Sequence, residues 1–413
     1  MHAMETPAIA PTGWFGADPG NSEYIHNPYP YYRHLRATAP VHRTPIGSWR
    51  VALYDHVNDL LRNPRVGMRL RDGGMPEMYR GGEEAERPRR FMLLLDPPDH
   101  TRIRKLVSKA FTPRAVQAMR PRIQQIVDDL LARVDGEMDV IDDLAFPLPT
   151  FVICEMLGVP ADDRDTFKTW TADATYALLP AILSSPEKQQ RALAAGMHLV
   201  AYFSELIADR RNHLGDDLMS AMIRAEEEGD RLSMEELLSN TIGLLIAGFE
   251  TTMGLIGNGV RALLTHRDQL EILQARPELI EAAIEECLRF DSPIQATRRI
   301  THAPIDVGGY MIPEGEVVLA LTGSANRDPA RFADPDRFDI TREDNPHLSF
   351  GFGPHICLGA HLARLEAQVA IGTLVQRFPS IELASDEIEW GRSLFRVLAH
   401  LPVHLGAASS ERV

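Results

Sequence analysis

The most constraining stretch of this 413-residue chain is an apolar helical run in its middle. It opens at Ser233-Met-Glu-Glu236, which has the form of a capping box, and continues to about Thr265. From Ile242 to Thr252 it is apolar nearly all round, a pattern that belongs to a helix buried in an interior. A helix of this kind needs a large body to cover it, and a chain this long can bury roughly three quarters of its unfolded surface. Within it lies Ala247-Gly248-Phe249-Glu250-Thr251-Thr252. Burying a carboxylate costs several kcal/mol unless it is paired or does chemistry. A mid-helix glycine costs roughly 1 kcal/mol, and a Thr hydroxyl can loosen the turn by bonding back to a carbonyl. Either the turn is a kink with a satisfied Glu250, or it is a functional site at which local rules are broken together.

A second stretch, Phe350-Gly-Phe-Gly-Pro-His-Ile-Cys357-Leu-Gly-Ala-His-Leu362, places one sulfur where an irregular loop turns into a helix. Free N–H groups and the positive end of a helix dipole favour a thiolate there. Gly351, Gly353 and Gly359 carry no side chains, which lets a large flat ligand approach the backbone. A fixed thiolate beside such a ligand suits an axial haem ligand. Cys154 and Cys287 read instead as small buried hydrophobes, and three cysteines give no disulfide framework and fit a reducing cytosol.

Other segments are less specific. His100 and Arg104 are four apart on a helix opened by Asp96-Pro-Pro-Asp and running to about Phe111. They either grip one anionic group together or belong to a solvated basic face. Glu286 and Arg289, at i and i+3, are close enough to pair. Between Val66 and Arg90 the pattern dissolves into a long loop with Met75, Met78, Tyr79 and several arginines, and such a loop is either functional or mobile. A helix predicted around Thr166 to Leu183 is rich in large apolar residues that form either core or a substrate roof. A net charge of −15 argues against general nucleic-acid binding, no stretch reaches the apolar length of a membrane span, and the N-terminus shows no signal peptide.

The string around Cys357 resembles the haem-binding loop of the cytochromes P-450, Phe-x-x-Gly-x-x-Cys-x-Gly, and four further segments resemble that family in the same order. Ala247-Gly248-Phe249-Glu250-Thr251 is similar to its oxygen-handling helix, Glu286-Cys-Leu-Arg289 to its Glu-x-x-Arg, Phe332-Ala-Asp-Pro-Asp-Arg337-Phe338 to the segment whose Arg joins that pair, and His100/Arg104 to its propionate-binding helix. The likeness runs from about Asn27 to Val403. It implies a mainly α fold with a small β-rich region, the haem-thiolate prism, as a single domain at 27–407 between an extension at 1–26 and a tail at 408–413. It further implies haem b as cofactor, held by Cys357 as the iron ligand. Phe350, Gly351, His355 and Gly359 would shape the loop, with His100, Arg104 and Arg299 on the propionates. Arg298 fits the last position as well, though Arg299 is preferred because an aliphatic residue follows it. Ala247 and Gly248 would make room for dioxygen, Glu250 and Thr251 would relay protons, and Glu286, Arg289 and Arg337 would brace the fold.

Two departures are notable: Glu250 stands where many members carry Asp, and His355 where most carry Arg, so its propionate contact should weaken at high pH. The resemblance implies a cytoplasmic, monomeric monooxygenase taking O₂, a mainly apolar organic substrate of the natural-product kind, and electrons from a soluble ferredoxin. Arg102, Lys105 and Lys109 form a stripe expected to face solvent and steer that partner, while Arg69, Arg71 and Arg80 would suit a carboxylate or glycosyl group on the substrate. A peroxide-driven peroxygenase and a non-catalytic haem sensor are the alternatives, and the pair Glu250-Thr251 speaks against both.

Overall fold

The computed structural model describes residues 22–76, 90–108, 111–160, 163–178, 185–215, 217–227, 232–391 and 395–407. The apolar run forms one helix, Met234–Thr265, with both bonds of the capping box made between Ser233 and Glu236. Most of its length is buried. Its neighbours include Pro147–Met156, Ala360–Arg377, Ile280–Phe290 and Pro186–Asn212. Phe249 is almost fully covered and meets Phe146 edge to face, a burial that contributes about 2–3 kcal/mol.

The β-rich side is small. A five-stranded sheet has the order Val41–Arg43, Trp49–Val51, Val317–Ala320, Thr297–Thr301, Val66–Gly67; the second and third strands are parallel and the other pairs antiparallel. A three-stranded antiparallel sheet joins Glu137–Asp139, Pro402–His404 and Glu382–Leu383, and Ile305–Val307 pairs with Tyr310–Ile312 in a hairpin. The architecture is therefore mainly helical with a minor β side.

Several boundaries differ from the sequence reading. The predicted helix around Thr166 to Leu183 is a helix over Arg164–Ala174 followed by a 3-10 turn over Thr175–Leu178; residues 179–184 lie outside the described residues. Phe167 and Trp170 are spent on the neighbouring helix, against Tyr202, Phe203 and His198, so they serve as core rather than roof. The short strand Glu137–Asp139 stands between the helices Arg120–Leu131 and Pro147–Met156. At the N-terminal side Ser22–His26 is already helical, Tyr24 is buried, and Arg396 donates to the carbonyls of Ile25 and His26. Packing therefore begins ahead of Asn27.

Candidate functional site

Phe350 to Gly359 leads into the helix Ala360–Arg377. Gly351 and Gly353 adopt φ of 68° and 72°, left-handed values that L side chains resist. The loop closes on itself where the Cys357 N–H donates to the Phe350 carbonyl at 2.8 Å. Cys357 is exposed towards a cavity, whereas Cys154 and Cys287 are buried. Desolvation pushes the Cys357 thiol pKa up, opposed by the Gly359 N–H aimed at the sulfur and by the Arg104 and Arg364 guanidiniums. A metal cation against the sulfur would complete that compensation.

The cavity, about 1200 Å³, lies between this loop and the central helix. Ala247, Gly248 and Thr251 line it together with Cys357, Phe350, Gly351 and Gly359. A Cβ at Gly248 would stand 3.5 Å from Ile153, ordinary contact, so that position tolerates little more than a methyl group. The Thr251 hydroxyl donates to the Ala247 carbonyl at 2.9 Å, the back-bond expected of a Thr in a helix. Glu250 is buried on the same turn but does not line the cavity.

At one rim four basic groups converge: His100, Arg104, Arg299 and His355. The rings of His100 and His355 are 4.2 Å apart. His100 is buried, and neither ring nitrogen has a partner among the described residues. Burial, with Arg298 nearby, lowers the Arg299 pKa to about 10 against the opposing charge of Asp96. Burial, with the charges of His100, Arg299 and Arg104, lowers that of His355 to about 3. Arg104 donates to the Ile356 carbonyl at 2.6 Å. Arg298 does not line the cavity; its guanidinium reaches the Met68 carbonyl at 3.5 Å.

These features fit haem. The cavity brings together one sulfur, the small residues Ala247 and Gly248, and four basic groups, of which His100 and Arg299 are buried and call for anions such as propionates. Glu366 also reaches the cavity; it is buried, its Oε2 has no partner among the described residues, and burial pushes its pKa well above the ordinary carboxylate value. Sequence reading missed it because it looks like one more polar residue on an amphipathic helix.

Beneath the loop, Glu286 and Arg289 form a fully buried pair with two contacts of 2.8 Å. Arg289 also donates to the carbonyls of Asn326, Pro335 and Arg337. Arg337 enters the network through that carbonyl alone. Its side chain is 63% exposed and among the described residues reaches only Asp339, while Arg342 approaches Glu286 at 3.3 Å with a side chain 12% exposed. The arginine that joins the pair is thus Arg342, five residues downstream of the position read from sequence. Arg102 is corrected likewise: it pairs with Glu236 at the start of the central helix rather than facing solvent. Lys105 is exposed and Lys109 lies outside the described residues.

Comparison with known proteins agrees with this geometry. The family model described as Cytochrome P450 matches residues 78–389. The chain is 47% identical to Cytochrome P450 107B1 of Saccharopolyspora erythraea over 88% of this chain and 90% of that one. It is 42% identical to the Vitamin D(3) 25-hydroxylase of Pseudonocardia autotrophica, over 98% and 100%. The crystal structure of P450BioI in complex with acyl carrier protein ligated to hexadec-9Z-enoic acid superposes with a TM-score of 0.86 at 41% identity, covering 93% of this chain and 99% of that one. Because that likeness spans the cysteine loop, the central helix and the braced pair together, the chain belongs to the cytochrome P450 family.

Proposed function

We propose that this cytochrome P450 monooxygenase, whose cofactor is haem b, inserts one oxygen atom from O₂ into a large, mainly apolar, uncharged natural-product molecule, drawing electrons from a soluble ferredoxin and its reductase. One observation carries the substrate class. The imidazole, guanidinium and carboxyl groups that line the cavity are those of His100, Arg104, Arg299, His355 and Glu366, and apart from Cys357 the rest of its wall is neutral among the described residues. Phe91, Leu94, Ile242, Ile246 and Met197 dominate that wall. Such a surface binds by area and penalises a desolvated charge. Arg69 does not supply one: it does not line the cavity and donates to the carbonyls of Leu94 and Gly73; Arg71 does not line it either, and Arg80 falls beyond the described residues. The relatives' names are in keeping, a vitamin D hydroxylase and a structure holding a long acyl chain.

Haem bound here supplies the electron-rich iron chemistry on dioxygen. The chain's own residues orient and protect. Cys357 would hold the iron, His100, Arg104, Arg299 and His355 would hold the propionates, and Ala247 and Gly248 would leave room for dioxygen. In this reading Thr251 positions a proton-carrying water, and Glu250 feeds it from the same turn. The Arg104 bond to the Ile356 carbonyl sets the helix Asp99–Ser108 beside the cysteine loop, which supports docking of the electron donor on that side, with Lys105 outward. The test is spectral titration of the holoenzyme against neutral and charged natural products, then turnover with NAD(P)H and a surrogate ferredoxin system. Neutral apolar compounds should give the substrate-induced shift and product. Tight shifts from carboxylates or cations alone would overturn the substrate class, and turnover with hydrogen peroxide but not with ferredoxin would overturn the electron route.

A further inference from the structure

The wall of the cavity above Ala247 is built by a contact between two distant parts of the chain. Asn240, fully buried on the central helix, accepts the Met92 N–H at 3.1 Å and donates to the Arg90 carbonyl at 2.9 Å. Its amide thus clasps the backbone on either side of Phe91, as a neighbouring strand would. One turn along the helix stands Gly243. A Cβ there would lie 2.6 Å from Phe91 Cγ and closer still to two other ring carbons, so the ring rests where only glycine permits it. Phe91, Gly243, Ile242 and Ala247 all line the cavity. A glycine inside a buried helix costs roughly 1 kcal/mol in propensity, and a buried amide must satisfy both its donor and its acceptor. Both costs fall on the two positions that touch the Phe91 segment.

We propose that Asn240 and Gly243 are positioning residues that set the size limit of the substrate cavity by fixing Phe91 against the central helix. The inference rests on the reading of this cavity as the substrate site, but concerns which residues decide what fits. Asn240 fixes the backbone and Gly243 gives the ring its seat. A side chain at 243 pushes the ring off its seat on the helix, and in this proposal the ring, which lines the cavity, moves into it. The effect passes through Phe91 alone, so it disappears when Phe91 is absent.

The test uses the haem-loaded protein and two iron-directed probes, imidazole, which needs little room, and 4-phenylimidazole, which fills the space above the iron. Binding is read from the Soret shift, and the reduced carbon monoxide spectrum confirms that each variant is folded. Gly243→Ala should weaken 4-phenylimidazole by about tenfold while imidazole stays within about twofold. In a Phe91→Ala background, adding Gly243→Ala should move neither probe by more than about twofold. Asn240→Ala should show the same selectivity for the larger probe in its folded fraction. An equal effect of Gly243→Ala in both backgrounds, or on both probes, would overturn the role of the ring. Unchanged probe selectivity in folded Asn240→Ala would reduce the clasp to a purely structural bond. None of these readings requires the natural substrate, so they stand apart from the proposed substrate class.

Discussion

Glu285 offers a quantitative test of how the cysteine loop is braced. It lies on the helix Ile280–Phe290 and takes two bonds from Arg364 of the helix Ala360–Arg377, at 2.6 and 2.8 Å, with His347 Nε2 at 3.1 Å. Arg364 in turn lies over the Phe350 ring, 4.4 Å from its centroid. Burial pushes the Glu285 carboxyl up, but the bonds and charges of Arg364 and His347 more than offset this and hold it down to about 2, against an ordinary 4.5. A carboxylate with a depressed folded pKa adds stability above its unfolded pKa and loses it as pH falls towards the folded value. The full shift corresponds to about 3 kcal/mol, and screening of a side chain 29% exposed leaves an expected contribution of about 2 kcal/mol. Glu285→Gln keeps the shape and removes the charge. Urea unfolding of the haem-loaded protein should show the variant weaker by about 2 kcal/mol at neutral pH, with a constant gap down to about pH 5.5. Below about pH 4.5 the gap should narrow, by roughly 1 kcal/mol at pH 3.5, because wild type then loses what the variant never had. A gap of equal size at pH 7 and pH 3.5, or none at pH 7, would refute the reasoning.

Other outcomes follow from the same geometry. Cys357→Ser should lose the red-shifted Soret band of the reduced carbon monoxide complex, while Cys154→Ser and Cys287→Ser, at buried sites, should keep it. Thr251→Ala should keep haem and substrate binding yet divert NAD(P)H electrons to hydrogen peroxide; unchanged product per NAD(P)H would refute the positioning role. Arg342→Ala, next to fully buried Glu286, should cost about 2–3 kcal/mol in unfolding measurements, against about 0.5 kcal/mol or less for outward-facing Arg337→Ala. Lys105→Glu should slow ferredoxin-driven reduction and flatten its salt dependence, with dithionite reduction unchanged as the control.

What was legible in the sequence is local. The capping box, the all-round apolar helix and the glycine loop before Cys357 each declare themselves within a dozen residues, because caps, helical period and left-handed φ are short-range properties. The helical pair Glu286 and Arg289 is legible for the same reason. Arg337 was expected to join the pair, but which arginine turns inward depends on where the 333–345 segment crosses it, and spacing does not encode that. Phe167 and Trp170 carry no mark separating a helix–helix seam from a cavity wall. Asn240 was invisible as a site residue because its partners lie 148 and 150 residues away, although Gly243 within so apolar a helix was a signal that could have been followed.

The pairing of Arg102 with Glu236 reaches further than helix capping. It bolts the helix that shows Lys105 to the outside onto the first turn of the helix that walls the cavity. The pair is a direct strut between the outer helix and the inner one, side chain to side chain with no loop between. Thermodynamic reciprocity then binds the two events. If filling the cavity shifts that first turn and alters donor affinity by some factor, a docked donor must alter affinity for the cavity's occupant by the same factor. Severing the strut, as Arg102→Gln would, should leave each event intact and make them independent.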